Sequence, residues 1–124
     1  MTNPEHDGPS TRERGQRGEE RAAEHLLRSG LEILARNVTA AGAELDLIAR
    51  DGETIVFVEV RKRSDDRRGH PLETIDARKQ ARIRRGATGW LITQGLWERV
   101  AVRFDAIAIV GEDDQRIEWL RDVF

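Results

Sequence analysis

The chain has 124 residues, 21 lysines and arginines against 23 aspartates and glutamates, and a formal net charge of −2. This length fits one domain with a substantial core, and the absence of cysteine excludes a disulfide framework and a thiolate metal site. The N-terminus lacks the apolar run of a secretory signal, and no stretch approaches the roughly 20 apolar residues of a membrane span. We therefore expect a cytoplasmic protein that does not act at a membrane.

The N-terminal part of the chain predicts a tail followed by a helix. Residues 1–12 are mostly polar and predict a disordered tail ahead of a domain that covers residues 13–124. The helix should run from about residue 12 to residue 28 and end at Gly30. Its apolar stripe consists of Ala22, Ala23, Leu26 and Leu27. Glu19 falls at the centre of this stripe, so it is either an acid that favours the helix N-terminal region or a residue aimed at a site.

A short strand over residues 31–38 precedes a predicted β-hairpin. The hairpin strands cover residues 43–49 and 54–61, and the Asp51-Gly52 pair between them is among the strongest short hairpin signals. Side chains alternate across a strand, so one face of the hairpin should be apolar and belong to the core. That face carries Leu45, Leu47, Val56, Val58 and Val60.

The opposite face of the hairpin collects carboxylates and an arginine. The predicted register puts Glu44 across from Glu59 and Asp46 across from Phe57, so Asp46 lies diagonal to Glu59, within reach of a shared ligand. Arg61 lies on the same face. Buried carboxylates that repel each other shift their pKa or bind a cation, and magnesium prefers oxygen ligands. The alternative is a solvated hairpin whose surface acids pair with nearby arginines.

The segment after the hairpin is rich in basic residues. Residues 61–85 hold ten basic and four acidic side chains, which suits contact with a phosphate backbone, although a solvated helix and loop would have the same charges. A helix over residues 77–91 should begin at the N-cap Asp76, and Gln80 is the polar member of its apolar stripe. The residues that we expect to contact nucleic acid are Lys62, Arg63, Arg67, Arg68, Arg78, Lys79 and Arg82.

The chain closes with two predicted strands, over residues 100–110 and 117–120, joined by an acidic turn. The first becomes continuously apolar, as in a strand that is covered on both sides. We interpret Trp90, Trp97 and Trp119 as core residues rather than stacking platforms for bases. The order of helix, three strands, helix and two strands predicts an α/β fold with a mixed central sheet flanked by helices.

The ordered motifs resemble a known nuclease family. A helix glutamate, a strand aspartate and Glu59-Val60-Arg61 are similar to the restriction-endonuclease-like nuclease core. More closely, residues 13–124 resemble the YraN family, small bacterial proteins described as endonuclease-like and related to archaeal Holliday junction resolvases. The matching motifs are Gly15, Gly18-Glu19, Ala22, residues 44–49, Asp51-Gly52, residues 57–61, Arg63-Ser64, residues 78–80, residues 103–105 and Phe124.

The resemblance implies a metal-dependent endonuclease that acts on nucleic acid, with structured or branched DNA as its substrate. Asp46 and Glu59 match the two metal-binding carboxylates of the core, and Glu19 matches a helix glutamate that helps hold a second ion or a water. Gln80 matches a polar residue that supports the site. The implied cofactor is Mg²⁺ or Mn²⁺, which polarises the scissile phosphate and lowers the pKa of the attacking water. The catalytic set is therefore Glu19, Asp46, Glu59, Arg61 and Gln80.

Arg61 departs from the nuclease core, which usually carries lysine at this position. Arginine effectively cannot lose its proton, so Arg61 could stabilise a phosphorane-like charge but could not act as a general base. Three hypotheses stay open: a nuclease for branched or damaged DNA, a nucleic-acid-binding module on a decayed nuclease core, and a protein-interaction domain. Junction resolvases act as symmetric dimers, so the resemblance also allows for a homodimer.

Overall fold

A computed structural model describes residues 11–63, 75–111 and 116–124, and within the first helix it describes side chains from residue 18 onward. Its elements are α1 (Thr11–Arg28), β1 (Glu32–Ala40), β2 (Ala43–Asp51), β3 (Thr54–Arg63), α2 (Ala77–Thr93), β4 (Ala101–Val110) and β5 (Arg116–Leu120). The predicted tail lies outside the described residues, except for residues 11 and 12, which belong to α1. Neither described helix is long and apolar enough to cross a membrane.

The five strands form one mixed sheet in the order β1-β2-β3-β4-β5. The β3–β4 pair is parallel, and the other three neighbouring pairs are antiparallel. A parallel pair needs a long crossover connection, and α2 lies within that connection. The predicted α/β class with a mixed sheet is confirmed, and the layout is consistent with a restriction-endonuclease-like core.

The two helices cover opposite faces of the sheet. In β3, Val56 and Val58 belong to the hydrophobic cluster around α1, whereas Ile55 and Phe57 belong to the cluster around α2. Successive side chains point to opposite faces of a strand, so each helix has its own core. Leu27 is 50% exposed, which makes the buried stripe of α1 narrower than predicted. The fully buried members of that stripe are Ala22, Ala23 and Leu26.

Helix α2 is fixed at its start and along its packed face. The predicted N-cap is confirmed, because Asp76 Oδ1 accepts a hydrogen bond from the backbone N–H of Lys79 at 2.9 Å. Gly86 lets the helix backbone lie close to the start of β2, since a Cβ at this position would lie 2.9 Å from the Cβ of Ala43. The helix ends at Thr93, two residues beyond the predicted end.

The register of the β2–β3 hairpin differs from the prediction by two residues. Asp51 pairs with Thr54, so Gly52 and Glu53 form the loop, whereas the prediction assigned Asp51 to it. Gly52 has φ +62°, and Glu53 is not among the residues with positive φ. This pattern fits a type II′ turn, which takes glycine first, rather than a type I′ turn, which needs positive φ at both positions. The predicted pairings of Asp46 with Phe57 and of Glu44 with Glu59 are therefore wrong.

A buried carboxylate joins β4, β5 and the C-terminal residues. Asp105 is fully buried and accepts four hydrogen bonds. The donors are Arg103 Nε, Arg103 Nη2, Trp119 Nε1 and the backbone N–H of Asp122, at 2.9, 3.0, 2.9 and 2.9 Å. Trp119 and Trp90 pack against the two cores as predicted. Trp97 is 45% exposed, so its interpretation as a core residue is wrong.

Candidate active site

Asp46 lies at an irregularity in β2. Leu45 packs in the cluster around α2 and Leu47 in the cluster around α1, although residues two apart in a regular strand share a face. The predicted common apolar face is therefore wrong for Leu45. The pairing of β2 with β3 runs from the turn to Leu47 and Val58. Beyond that pair, Asp46 Oδ2 accepts a hydrogen bond from the backbone N–H of Val60 at 2.9 Å, so this side chain takes the place of a backbone partner.

Asp46 and Glu59 form a carboxyl pair between the two strands. Extending the corrected register by one pair places Asp46 directly across from Glu59 rather than diagonal to it. The side chains of the two residues are hydrogen-bonded. The pKa of Asp46 is raised from its ordinary 3.8 to about 8, first by burial and then by the negative charge of Glu59. Glu59 is itself only 6% exposed. Without a bound cation, the Asp46 carboxyl therefore holds its proton to a higher pH than an ordinary aspartate does.

Glu19 approaches this pair from helix α1. Burial, and then the negative charges of Glu44 and Glu59, raise the pKa of Glu19, while a hydrogen bond from the Asn37 side chain lowers it. The atom Glu19 Oε2 is buried and has no hydrogen-bond partner. Because α1 begins at Thr11, Glu19 is well beyond the first turn, and the helix-terminus interpretation of this residue is wrong.

Asn37 is a site residue that the sequence analysis missed. It lies on β1 between Arg36 and Val38, which pair with Leu47 and Leu45, so it faces the position of Asp46 across the strands. Its φ is +52°, a backbone conformation that asparagine tolerates better than most residues. The sequence did offer one signal for this residue, because asparagine is depleted in strands and Asn37 lies inside a strand pattern.

Two cations contact the same oxygen of Glu59. Lys79 Nζ lies 2.9 Å from Glu59 Oε1, and Arg61 Nε lies 3.6 Å from it. Arg61 Nε is buried and makes no hydrogen bond, so its contact with Glu59 is an ion pair only. Lys79 was predicted to contact nucleic acid, and its ammonium lies against a site carboxylate; its predicted role stays a prediction.

The other predicted site residues have varied surroundings. The side-chain amide of Gln80 donates a hydrogen bond to the carbonyl of Ile75 at 3.2 Å, which ties it to the residue before the N-cap. Arg63 is half-buried. The exposed members of the predicted nucleic-acid set are Lys62, Arg78 and Arg82. Arg67 and Arg68 lie outside the described residues. The predicted roles of all the residues named in this paragraph stay predictions.

The acidic groups fit an open magnesium site rather than a closed cage. No group of three or more histidine, aspartate or glutamate side chains within residues 11–63, 75–111 and 116–124 is arranged to hold a metal ion. Asp46 and Glu59 nevertheless supply adjacent hard oxygen ligands, and Glu19 adds a buried carboxylate oxygen without a partner. Magnesium is commonly bound by one or two carboxylates, with waters and substrate phosphates completing its coordination. The donor set therefore fits magnesium only as an open site, in which water and substrate would supply the remaining ligands.

Comparison with known proteins identifies the family. The profile described as "Uncharacterised protein family UPF0102" matches residues 18–109, which include the site residues on α1, β2, β3 and α2. A UPF0102 protein of Pseudomonas paraeruginosa is 40% identical over 121 residues, which cover 95% of this chain and 97% of the relative. A UPF0102 protein of Alkalilimnicola ehrlichii is 46% identical over 112 residues, which cover 90% and 86%. The predicted family is thus confirmed, and the chain belongs to the UPF0102, or YraN, family.

Proposed function

We propose that this protein is a metal-dependent endonuclease that hydrolyses phosphodiester bonds in nucleic acid. One observation carries the proposal. Among the described residues, the buried side-chain polar atoms without a hydrogen-bond partner are Glu19 Oε2 and Arg61 Nε, and both belong to the cluster around Asp46 and Glu59. Buried polar groups are nearly always paired. An unpaired carboxylate oxygen suits a cation or a water, and an unpaired guanidinium N–H suits a phosphate oxygen.

The roles follow from the contacts of each side chain. Asp46 and Glu59 would hold the metal ion, which polarises the scissile phosphate and lowers the pKa of a bound water. Asp46 must lose its proton to become a ligand, so ion binding is coupled to proton release. Glu19 accepts a hydrogen bond from the attacking water or helps hold a second ion. Arg61 directs positive charge toward a phosphate oxygen, where charge develops during hydrolysis.

The substrate part of the proposal is structured or branched DNA. The exposed basic residues Lys62, Arg78 and Arg82 would hold the phosphate backbone without reading base sequence. Selection would then depend on the shape of the nucleic acid, as the resemblance to junction resolvases implies. Since a four-way junction has two-fold symmetry, a homodimer belongs to this proposal as well.

A second candidate is a nucleic-acid-binding protein that does not cleave. The contact between Lys79 Nζ and Glu59 Oε1 favours it, because the ammonium neutralises a carboxylate that a catalytic ion would otherwise neutralise. Binding by the exposed basic residues would be unaffected in such a protein. The two candidates differ only in turnover, so a cleavage assay decides between them.

The test is single-turnover cleavage of labelled substrates by the purified protein and by Asp46→Asn. The panel contains a four-way junction, a nicked duplex, a linear duplex and a single strand, each with Mg²⁺, Mn²⁺ or EDTA. We expect metal-dependent cleavage of at least one branched or nicked substrate by the wild type and none by Asp46→Asn. The variant also controls for contaminating nucleases. If the wild type binds these substrates and cleaves none of them, the second candidate replaces the first.

A further inference from the structure

Lys79 occupies a position that helix stability does not explain. It lies in the first turn of α2, three residues after the N-cap Asp76, and this turn contains no acidic residue. The partial positive charge of a helix N-terminus favours acids and disfavours cations there. The charge of Lys79 therefore does not stabilise its own helix, and its ammonium makes a contact outside that helix.

That contact is with the buried carboxylate of the candidate site. The Lys79 side chain is 27% exposed, the Glu59 side chain is 7% exposed, and 2.9 Å separates Nζ from Oε1. The backbone of this turn is held by the Asp76 cap, and α2 is held against β2 by the close approach at Gly86. A rigid helix thus presents a flexible four-carbon side chain to the site, with its stem partly open to solvent.

The two cations at Glu59 differ in what they can do. Arg61 extends from the same strand as Glu59, and its buried Nε is 3.6 Å from the carboxylate. The Lys79 ammonium carries three donors that can be redirected by rotation of its stem. Of these two cations, Lys79 is the one that reaches Glu59 from the basic helix α2, where Arg78 and Arg82 are exposed. A phosphate that follows those arginines to the carboxylates would meet the Lys79 ammonium.

We propose that Lys79 is a phosphate-binding residue of the active site, and not only a contact to the distant backbone. This inference rests on the proposed nuclease function and deepens it. In the metal-free protein the ammonium balances the charge of Glu59, and in the substrate complex it binds a non-bridging oxygen of the scissile phosphate. The site then has two cations of different kinds, and arginine at position 61 does not imply a decayed site.

The proposal has one consequence for ion binding and another for catalysis. Because Lys79 and a divalent ion both bind Glu59, removing the ammonium should leave Mg²⁺ affinity unchanged or make it several-fold tighter. Because the ammonium stabilises charge on the reacting phosphate, removing it should slow cleavage on the order of a hundredfold. A lysine that merely supports Glu59 would give the opposite result for Mg²⁺, since its loss would weaken the ion site.

The experiment compares the full-length wild type with Lys79→Met, Lys79→Arg and the control Arg28→Met. Methionine keeps most of the length of the lysine stem without its charge, and Arg28 is a highly exposed cation near the far end of α1. Each protein is checked by thermal melting, titrated with Mg²⁺ by calorimetry, and assayed for single-turnover cleavage of a four-way junction at saturating DNA. Lys79→Met should lose about a hundredfold in rate without losing Mg²⁺ affinity, and Lys79→Arg should recover part of that rate. Arg28→Met should match the wild type in both measurements.

Each of the other outcomes shows whether the inference about Lys79 or the proposed nuclease function is wrong. If Lys79→Met cleaves as fast as Arg28→Met, the inference is wrong and the proposed function stands. If Lys79→Met binds Mg²⁺ more weakly than the wild type, the lysine only supports Glu59, and the inference is wrong. If the wild type neither binds Mg²⁺ nor cleaves, the proposed function fails and the inference fails with it. Should Lys79→Met not fold, Lys79→Gln decides by the same measurements.

Discussion

Replacing Asp46 by asparagine should stabilise the metal-free protein at alkaline pH. A carboxyl whose pKa rises on folding binds its proton more tightly in the folded state than in the unfolded chain. Its contribution to stability is therefore complete below the unfolded value near 3.8 and is lost as the pH rises toward the folded value of about 8. Asparagine is neutral at every pH, and its carbonyl oxygen can still accept the hydrogen bond from Val60 N–H, so the variant avoids this loss.

The magnitude follows from the size of the shift. Each pKa unit corresponds to about 1.4 kcal/mol, so a shift from 3.8 to about 8 sets an upper limit of several kcal/mol. We therefore compare the free energy of unfolding of the variant with that of the wild type. The advantage of the variant should be larger at pH 8.5 than at pH 4.5 by on the order of 2 kcal/mol. For a domain of this size, that gain raises the melting temperature by roughly 5–15 °C.

The assay is thermal unfolding in EDTA at pH 4.5 and pH 8.5 for the wild type, Asp46→Asn and the control Glu53→Gln. Glu53 is an exposed carboxylate in the loop of the same hairpin, so its replacement should change the melting temperature little at either pH. The gain of Asp46→Asn over the wild type should grow between the two pH values. An equal gain at both, or a loss at pH 8.5, would mean that Asp46 is not a protonated member of a buried pair.

Three further outcomes follow from the structure. Replacing Arg78 and Arg82 by alanine should flatten the plot of log DNA affinity against log salt by roughly 0.9 per lost phosphate contact, and an unchanged slope would mean that α2 does not face the nucleic acid. Arg61→Ala should slow single-turnover cleavage on the order of a hundredfold, while Arg61→Lys should retain part of the rate. A rate for Arg61→Ala equal to the wild type would remove this residue from the mechanism. Asp105→Asn should cost about 1.5–3 kcal/mol in urea unfolding, because a buried charge-assisted hydrogen bond from Arg103 is lost while Arg103 keeps its ion pair with Asp51, yet cleavage per folded molecule should be retained. A stability change below about 1 kcal/mol, the scale of an exposed pair, would contradict the importance of this network.

Local patterns in the sequence were sufficient for the elements and for much of the core. The alternation of side chains along the hairpin predicted its two strands. That alternation matters because the two faces of β3 pack against different helices. The N-cap Asp76 followed from its side-chain chemistry, which is a local property. Glu19 and Asp46 were singled out because acids on periodic elements need a reason beyond packing, and the structure brings both of them close to Glu59.

The errors arose where tertiary contacts decide the geometry. The Asp51-Gly52 pair does lie at the turn of the hairpin, but Asp51 stays in the strand and pairs with Thr54. The observed register therefore differs from the predicted one by two residues. Leu45 lies on the other face of the sheet because the Asp46 side chain replaces a backbone hydrogen-bond partner of β3. The alternation of side chains along a strand does not predict such a replacement. The contact between the Lys79 ammonium and Glu59 was not predicted, because nothing local indicates that a side chain of α2 reaches a carboxylate of β3.

The most direct test of the central claim is calorimetric titration of Mg²⁺ near pH 7 in two buffers with different ionisation enthalpies. If Asp46 and Glu59 form the ion site, the wild type should bind Mg²⁺ and release protons, because the raised pKa of Asp46 favours its protonated form until the ion binds. Asp46→Asn should give no binding heat, and Glu53→Gln should behave like the wild type. Equal heats for the wild type and Asp46→Asn, or binding without proton release, would contradict a metal site at this carboxyl pair.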